Sequence, residues 1–445
     1  MKITHYSNSF VGVKENTTSI LCDPWVGFGS ENGWLSFPIF KNSSKLFKEI
    51  QPTHIYISHL HCDHFDKTTL KNIKNKKIKI VIKNFKNKRF INKIRELGFS
   101  NIIECEEWKR YKINKDFSIA IIPQITSNSS GAEDAINYDL DTSIVIQSNI
   151  SKKIFYNNVD NPLNVKDLVK VRKFIKKEFR SKIDVCCMPA GAAGEYPHCF
   201  TNINRVEEKN KVINSHLKEL GQQLKTLDIK NFFPAGGIYT IYGKFYHLNK
   251  LIAEPKDYQV ENLCKKLRIN YFNILGAQSL NLENGRWVKK LQNEISLPTK
   301  KTAIENSRHV RYFYEKTNPK YDEKKLDKFF LNLKKKYFNI IKNFKIKTSW
   351  KVDFYIYKNL ILNADSKLNK KKSKFFKKYS LNFNKEKGKF SHLKCFLDYT
   401  LFEGMLTKKF TWNPALSGSV IMFERTPNVF DPNLTYSLNF LNHNK

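Results

Sequence analysis

The sequence predicts an α/β layered domain followed by a second, Lys-rich α+β domain, and three observations carry that reading. Short apolar runs bounded by Asn, Gly, Pro or Lys recur through the first quarter of the chain, which is how strands are punctuated. Helical periodicity then alternates with further strand runs as far as residue 250, the pattern of helices laid on partly antiparallel sheets. Past residue 255 the chain turns to Lys-rich amphipathic segments. We therefore expect one domain over 1–250 and an α+β accessory domain over 251–445.

Taken in order, the strand runs are Lys2–His5, Phe10–Val13, Thr18–Cys22 and His54–Ser58. Helices are expected in KTTLKNIKN and NKRFINKIRELGF, where apolar residues recur at three- and four-residue spacing. FSIAIIPQ, TSIVIQS and KKIFYNNVD read as strands again. Long helices follow at Val165–Phe179 and Val206–Leu227, and NFFPAGG reads as a strand leaving the second. In the C-terminal part we expect a strand pair in WKVDFYIYKN and LILNAD, a basic loop over 367–378 and a last strand in SGSVIMFERTP.

A chain of 445 residues with 41% hydrophobic residues buries a sizeable core, which excludes whole-chain disorder. No run approaches the roughly 18 apolar residues of a membrane span, and the first residues lack the layout of a signal peptide. A cytoplasmic location is expected. The eight cysteines form no CxxC pair, so reduced thiols are expected over a disulfide framework.

Charge is the strongest compositional bias: 78 Lys+Arg against 41 Asp+Glu, a formal net charge of +37. Over 321–390 there are 21 Lys against 6 Asp+Glu, interleaved with Phe, Tyr, Leu and Ile. That interleaving reads first as the solvated face of amphipathic helix, and second as a field that draws anions.

The sharpest signal is THIYISHLHCDHFD, in which an apolar strand feeds a complete HxHxDH from His59 to His64. His59 and His61 stand two apart on extended chain, so both rings point to one side, while Asp63 and His64 turn round the next corner. Imidazole and carboxylate suit one or two zinc or iron ions with positions open to another ligand. Two more carboxylates close strand runs, Asp23 after ILC and Asp160 after IFYNNV. A carboxylate there can bridge cations or accept a ligand histidine's N–H, and equally can cap a turn.

These residues resemble the metallo-β-lactamase superfamily, which implies an αββα sandwich with a one- or two-metal site. The resemblance implies that Asp160 bridges the metals and that Asp23 stands behind a ligand. ILCDPWVGFGSENGW, ISHLHCDHFDKTTLK, DTSIVI with KIFYNNVDNP, MPAGAAGEYPHCFTN and FFPAGGIY, in this order, are similar to the metallo-β-lactamase part of the CMP-N-acetylneuraminate hydroxylases. That family also carries a Rieske domain, which needs a Cys-x-His and a Cys-x-x-His together; no Cys-x-x-His occurs here, and the one Cys-x-His, Cys62-Asp63-His64, lies inside HxHxDH.

No histidine lies between His64 and His198, so the superfamily's third histidine is missing. Asn137 falls at that place, and Asp139 and Asp141 are candidates to replace it, although a surface-loop role is the first expectation for each. His198 and His247, in loops after strands, are possible late ligands or substrate contacts. The Gly191–Gly194 and Gly236–Gly237 segments allow close backbone approach to a phosphate. Cys62 is expected to be a small buried residue rather than a ligand.

The expected site is thus His59, His61, Asp63, His64 and Asp160 on one or two iron or zinc ions, with Asp63 as the base-like catalytic residue. The expected substrate is a small anion, an acidic sugar or nucleotide sugar by resemblance. If the chemistry is oxygenation, electrons come from a separate protein; hydrolysis of lactonase or phosphodiesterase type needs none. A basic nucleic-acid-binding protein with a degenerate metal site is the remaining class; neither a nucleic acid nor a membrane is the expected partner.

Overall fold

The computed structural model describes residues 1–40, 42–125, 141–191, 193–291, 297–343, 346, 348–382, 391–439 and 441. Asn137 and Asp139 lie outside them. Two sheets face each other. The first has eight strands in the order Arg286–Lys290, Gln278–Glu283, Lys2–Ser7, Phe10–Glu15, Thr18–Cys22, His54–Tyr56, Lys79–Lys83, Ile102–Cys105. Its first five run antiparallel, joined in part by tight turns in which Asn8 and Asn16 take positive φ (39° and 48°), a conformation Asn tolerates better than most residues. From Thr18–Cys22 onward its neighbours are parallel. Parallel neighbours need crossovers, and helices Ser43–Ile50, Lys67–Asn72 and Arg89–Glu96 supply them.

The second sheet repeats the plan with seven strands, in the order Asn270–Tyr271, Asn231–Pro234, Val185–Met188, Ile154–Asn157, Thr142–Ser148, Phe117–Pro123, Tyr111–Lys112. Helices Val165–Phe179, Arg205–Leu227 and Asp257–Leu267 are the crossovers of its parallel half.

Side-chain alternation along each strand builds the layers. Tyr56 and Val81 point inward with Ile20 and Cys22, meeting Ile119, Ile144, Phe155 and Val185 of the other sheet. Their neighbours Ile55, Ile57, Ile80 and Ile82 point outward under Leu46, Phe47, Leu70 and Phe90 of the first helix layer. On the far side Val145, Tyr156, Cys186 and Phe232 meet Leu168, Val171, Leu220 and Leu224. The result is the four-layer αββα sandwich that the sequence leads one to expect.

Strands at 270–271, 278–283 and 286–290 belong to these sheets, so the sandwich extends past residue 250. The C-terminal part adds a four-stranded sheet, Lys374–Asn382, Lys351–Asn359, His392–Asp398 and Met422–Thr426, covered by helices Glu323–Asn343 and Tyr399–Leu406. Trp25, Trp34, Tyr239 and Phe245 share one apolar core with Tyr312, Phe354, Phe402 and Trp412. No helix among the described residues is long and apolar enough to cross a membrane.

Two local expectations fail here. LILNAD makes only a single bridge, Leu362 to Leu368, because the partner of Lys351–Asn359 is Lys374–Asn382. The basic loop is therefore half strand, and two of its charges are matched from elsewhere: Lys377 pairs with Glu323 and Asp327, and Lys378 with Asp353. Carboxylates brought in by other elements make a strand tolerable where local composition reads as loop.

Candidate metal centre

Everything expected of the HxHxDH segment begins with the end of one strand. Past Tyr56 the chain makes one more ladder bond, Ile57 N–H to Val81 O at 3.1 Å, and then turns away. Asp23, at the tip of the neighbouring strand and in the left-handed region (φ 45°), catches it. Its carboxylate accepts the Ser58 N–H (2.8 Å) and the Ser58 hydroxyl (2.7 Å). Thr142 donates to Ser58 O (2.7 Å) and contacts Tyr56 OH (2.6 Å), tying the second sheet to the same turn. A tight turn, with His64 and Phe65 N–H both on His61 O, then swings Asp63 and His64 round.

These contacts fix which ring nitrogen each histidine presents. Since Ser58 Oγ gives its proton to Asp23, it accepts from His59 Nδ1 (2.9 Å), which leaves His59 Nε2 bare. His64 Nδ1 donates to Asp23 Oδ2 (2.8 Å), which turns His64 Nε2 inward. One buried carboxylate thus sets two imidazoles, the arrangement that orients and strengthens metal-ligating histidines.

The inward atoms form two groups. In the first, His59 Nε2 lies 2.8 Å from His61 Nδ1 and 3.0 Å from Asp141 Oδ1. In the second, His64 Nε2 lies 3.0 Å from Asp160 Oδ2 and 3.4 Å from Asp63 Oδ2. His59, His61 and Asp141 share one potential ion site, and His59, His64 and Asp160 another. Asp160 gets there through a turn in which buried Val159 takes φ 52°, an outlier for a β-branched residue, closed by Asn158 and Asn161.

The donors fit a cation. A bare imidazole nitrogen and a carboxylate oxygen 3.0 Å apart repel unless a cation stands with them, and Asp160 Oδ1 is buried without a hydrogen-bond partner. Burial, with His64 and His61 nearby, holds His59 well below the usual histidine pKa, so it enters neutral and ready to ligate. His64 goes the other way: burial opposes its charge, but Asp63, Asp160 and Asp23 outweigh burial and hold its pKa well above the usual value. A proton thus holds the place of a metal at His64 Nε2. Below that raised pKa an ion at the second group must displace the proton, so its affinity rises roughly tenfold per pH unit. Calorimetry in buffers of differing ionisation enthalpy is expected to find about one proton released per ion there. A count of zero would remove His64 from the ligand set.

Asp63 stands in the second group, 6% exposed, and although burial pushes its carboxyl up, His64 and His61 hold it below the ordinary range. With its carboxylate toward His64, it stands where a ligand or a base-like residue of the second group would stand. Asp141, just before the strand and partly exposed, is brought beside His59 because Thr142 anchors the strand start at Ser58. Asp160→Asn, with the same shape and one charge less, is expected to lower metal content by about one ion per chain. Unchanged stoichiometry would make Asp160 a turn residue only.

His198 and His247 join neither group. His198 is buried against Ser419, its Nε2 2.7 Å from the hydroxyl, and burial and Arg205 push its pKa down to about 3. His247 lies against the Tyr246 ring on a short 3-10 helix, Gly243–Leu251. Gly236 does serve close approach, but to Asp160: at its φ of 97° a Cβ would stand 3.1 Å from Asp160 Oδ1 and 2.9 Å from Pro189. Cys62 is buried, accepts from Asn32 Nδ2 (2.8 Å), and is held as a thiol by burial and by Asp63, Glu31 and Asp66. The residues that sequence reasoning passed over are Ser58, Thr142 and Asn413, whose Nδ2 lies 2.6 Å from His61 Nε2.

Comparison with known proteins gives partial likenesses. No family model matches the chain. A Mycobacterium tuberculosis protein named as a Rieske 2Fe-2S iron–sulfur protein is 29% identical over 126 residues, 27% of this chain and 24% of that one. A Mycolicibacterium smegmatis protein of the same name is 28% identical over 115 residues, 26% of this chain and 22% of its own. The chain therefore spans about a quarter of the length of the curated relatives it matches. Among solved structures, CmlA, a diiron β-hydroxylase from Streptomyces venezuelae, is 13% identical with a TM-score of 0.41, over 65% of this chain and 54% of that one. An isothiocyanate hydrolase from Delia radicum gut bacteria is 15% identical with a TM-score of 0.41, over 63% of this chain and 99% of that one.

Proposed function

We propose that the chain is a metal-dependent enzyme of metallo-β-lactamase type whose centre holds two iron ions and serves an oxygenase. The observation that carries this is Asp141 beside His59 and His61. Two imidazoles and one carboxylate with open positions form the donor set of non-haem iron oxygenases; catalytic zinc uses that set as well as three imidazoles, so it is the further carboxylates that tip the reading toward iron. Asp63, His64 and Asp160 add two further carboxylates, and neither donor group includes a thiolate, so the whole set favours a hard, redox-active ion.

Bound iron would supply activation of dioxygen and Lewis-acid polarisation of a substrate oxygen. The protein's own part is to set the ligands: Asp23 and Ser58 fix two ring tautomers, the sandwich buries His59 and His64, His59 is common to both groups, and Asp160 stands in the second. The net charge of +37 supports a small anionic substrate, since a basic protein raises the local concentration of anions. An acidic sugar or nucleotide sugar is the substrate class suggested by the segments similar to the CMP-N-acetylneuraminate hydroxylases.

Oxygenation consumes electrons, and the cysteines here are free and buried, outside both donor groups. A separate electron-transfer protein is the reading that follows, and the names of the mycobacterial relatives point to a Rieske protein as its class. The test is metal analysis of anaerobically purified protein. About two iron ions per chain are expected. Zinc with turnover indifferent to oxygen would favour a hydrolase, and no bound metal a basic binding protein.

A further inference from the structure

We propose that Asn413 is the positioning residue of His61, and that the C-terminal part of the chain is thereby a working component of the metal centre. The inference rests on the reading of the cluster as a metal centre. Three histidines point inward, and two of them are held from behind within the sandwich, His59 by Ser58 and His64 by Asp23. The outward nitrogen of His61 faces the Asn413 amide instead, 2.6 Å away.

An amide suits that place. Its NH2 donates to a bare Nε2, and after a half turn about the terminal bond its carbonyl accepts from a protonated one. Once His61 Nδ1 is committed to a metal, Nε2 carries the proton and the carbonyl is the partner. The amide can therefore stay with the ring in both states and hold its angle.

Asn413 is itself held firmly. It lies on helix Trp412–Ser417 beside Trp412, which is 1% exposed in the C-terminal core. The residue before that helix, Thr411, donates its N–H to Glu31 (3.1 Å), and the residue after it, Gly418, accepts from Gly33 N–H (2.9 Å). Between these, Asn32 donates to Cys62 inside the metal-binding loop. Residues 31–33 are thus clamped between the helix and the loop, and the position of His61 is set from both sides.

Cobalt(II) titration of the metal-free full chain tests this, with absorption spectra recorded beside affinities. Wild type is expected to take up two ions. Asn413→Leu and Asn413→Ala are expected to weaken one ion about 10–100-fold, change its ligand-field bands and leave the other ion untouched. Asn413→Asp, whose carboxylate also accepts from Nε2, is expected to restore affinity and bands. Wild-type affinity and spectra in the Leu and Ala variants, or an Asp variant no better than they are, would overturn the role. A wild-type chain that takes up no cobalt would overturn the metal centre and this role with it.

Discussion

Alanine at both His59 and His61 is expected to empty the first ion site while the sandwich still folds. The two rings supply two of the three donors there, and Asp141 alone, 17% exposed and open to water, holds a divalent ion weakly. The loss should exceed the roughly 10–100-fold that removing an outer partner costs. Folding should suffer less. His59 is buried but lies in none of the apolar clusters, so the double change costs about 1–3 kcal/mol, against a core contributed by four layers. Metal analysis and thermal melting separate the two effects. A metal that binds the native state stabilises it by mass action, by about 2.7 kcal/mol at a hundredfold excess over Kd, and so raises the melting temperature. The double variant should lose the part of that rise that belongs to the first site, and some of the second site's through the loss of His59, and melt normally without metal. Full metal content in the variant would refute the assignment.

The first site also shows where the sequence is legible and where it stops. His59, His61, Asp63 and His64 fall within six residues, so their convergence follows from strand alternation and one turn. Asp23 and Asp160 are readable as carboxylates at strand tips, and the structure puts both against His64. Asp141 is harder. It immediately precedes a strand, and nothing local says that Thr142 will bond to Ser58 more than eighty residues away; that pairing depends on how two sheets are stacked. Asn413 is further still, delivered by a helix whose place depends on a shared core of aromatic residues from both ends of the chain. The same rule explains the strand at Lys374–Asn382, whose lysines look solvated until Asp353, Glu323 and Asp327 arrive from other elements. Periodicity reveals elements, and contacts between distant elements decide what their ends can do.

Asp141→His is the substitution that tests the chemistry most directly, because it changes the kind of metal the site prefers while keeping a ligand in place. Asp141 is partly exposed, with Oδ1 3.0 Å from His59 Nε2, so a side chain at this position can reach the first group. The variant's first site would offer three imidazoles, a set characteristic of catalytic zinc, in place of two imidazoles and a carboxylate, which zinc and iron both use. Losing one negative charge also makes the higher oxidation state of iron harder to reach. Protein expressed with equal supplies of both metals is expected to shift its zinc-to-iron ratio at least ~10-fold toward zinc, and oxygen-dependent turnover should fall with the iron. Asp141→Asn is the necessary contrast: it keeps the size, removes the charge and adds no imidazole, so it should lose iron without gaining zinc. If both variants kept wild-type iron and turnover, Asp141 would be a bystander beside His59. The second group, which is left intact in each, would then have to carry the iron chemistry with His59, Asp63, His64 and Asp160.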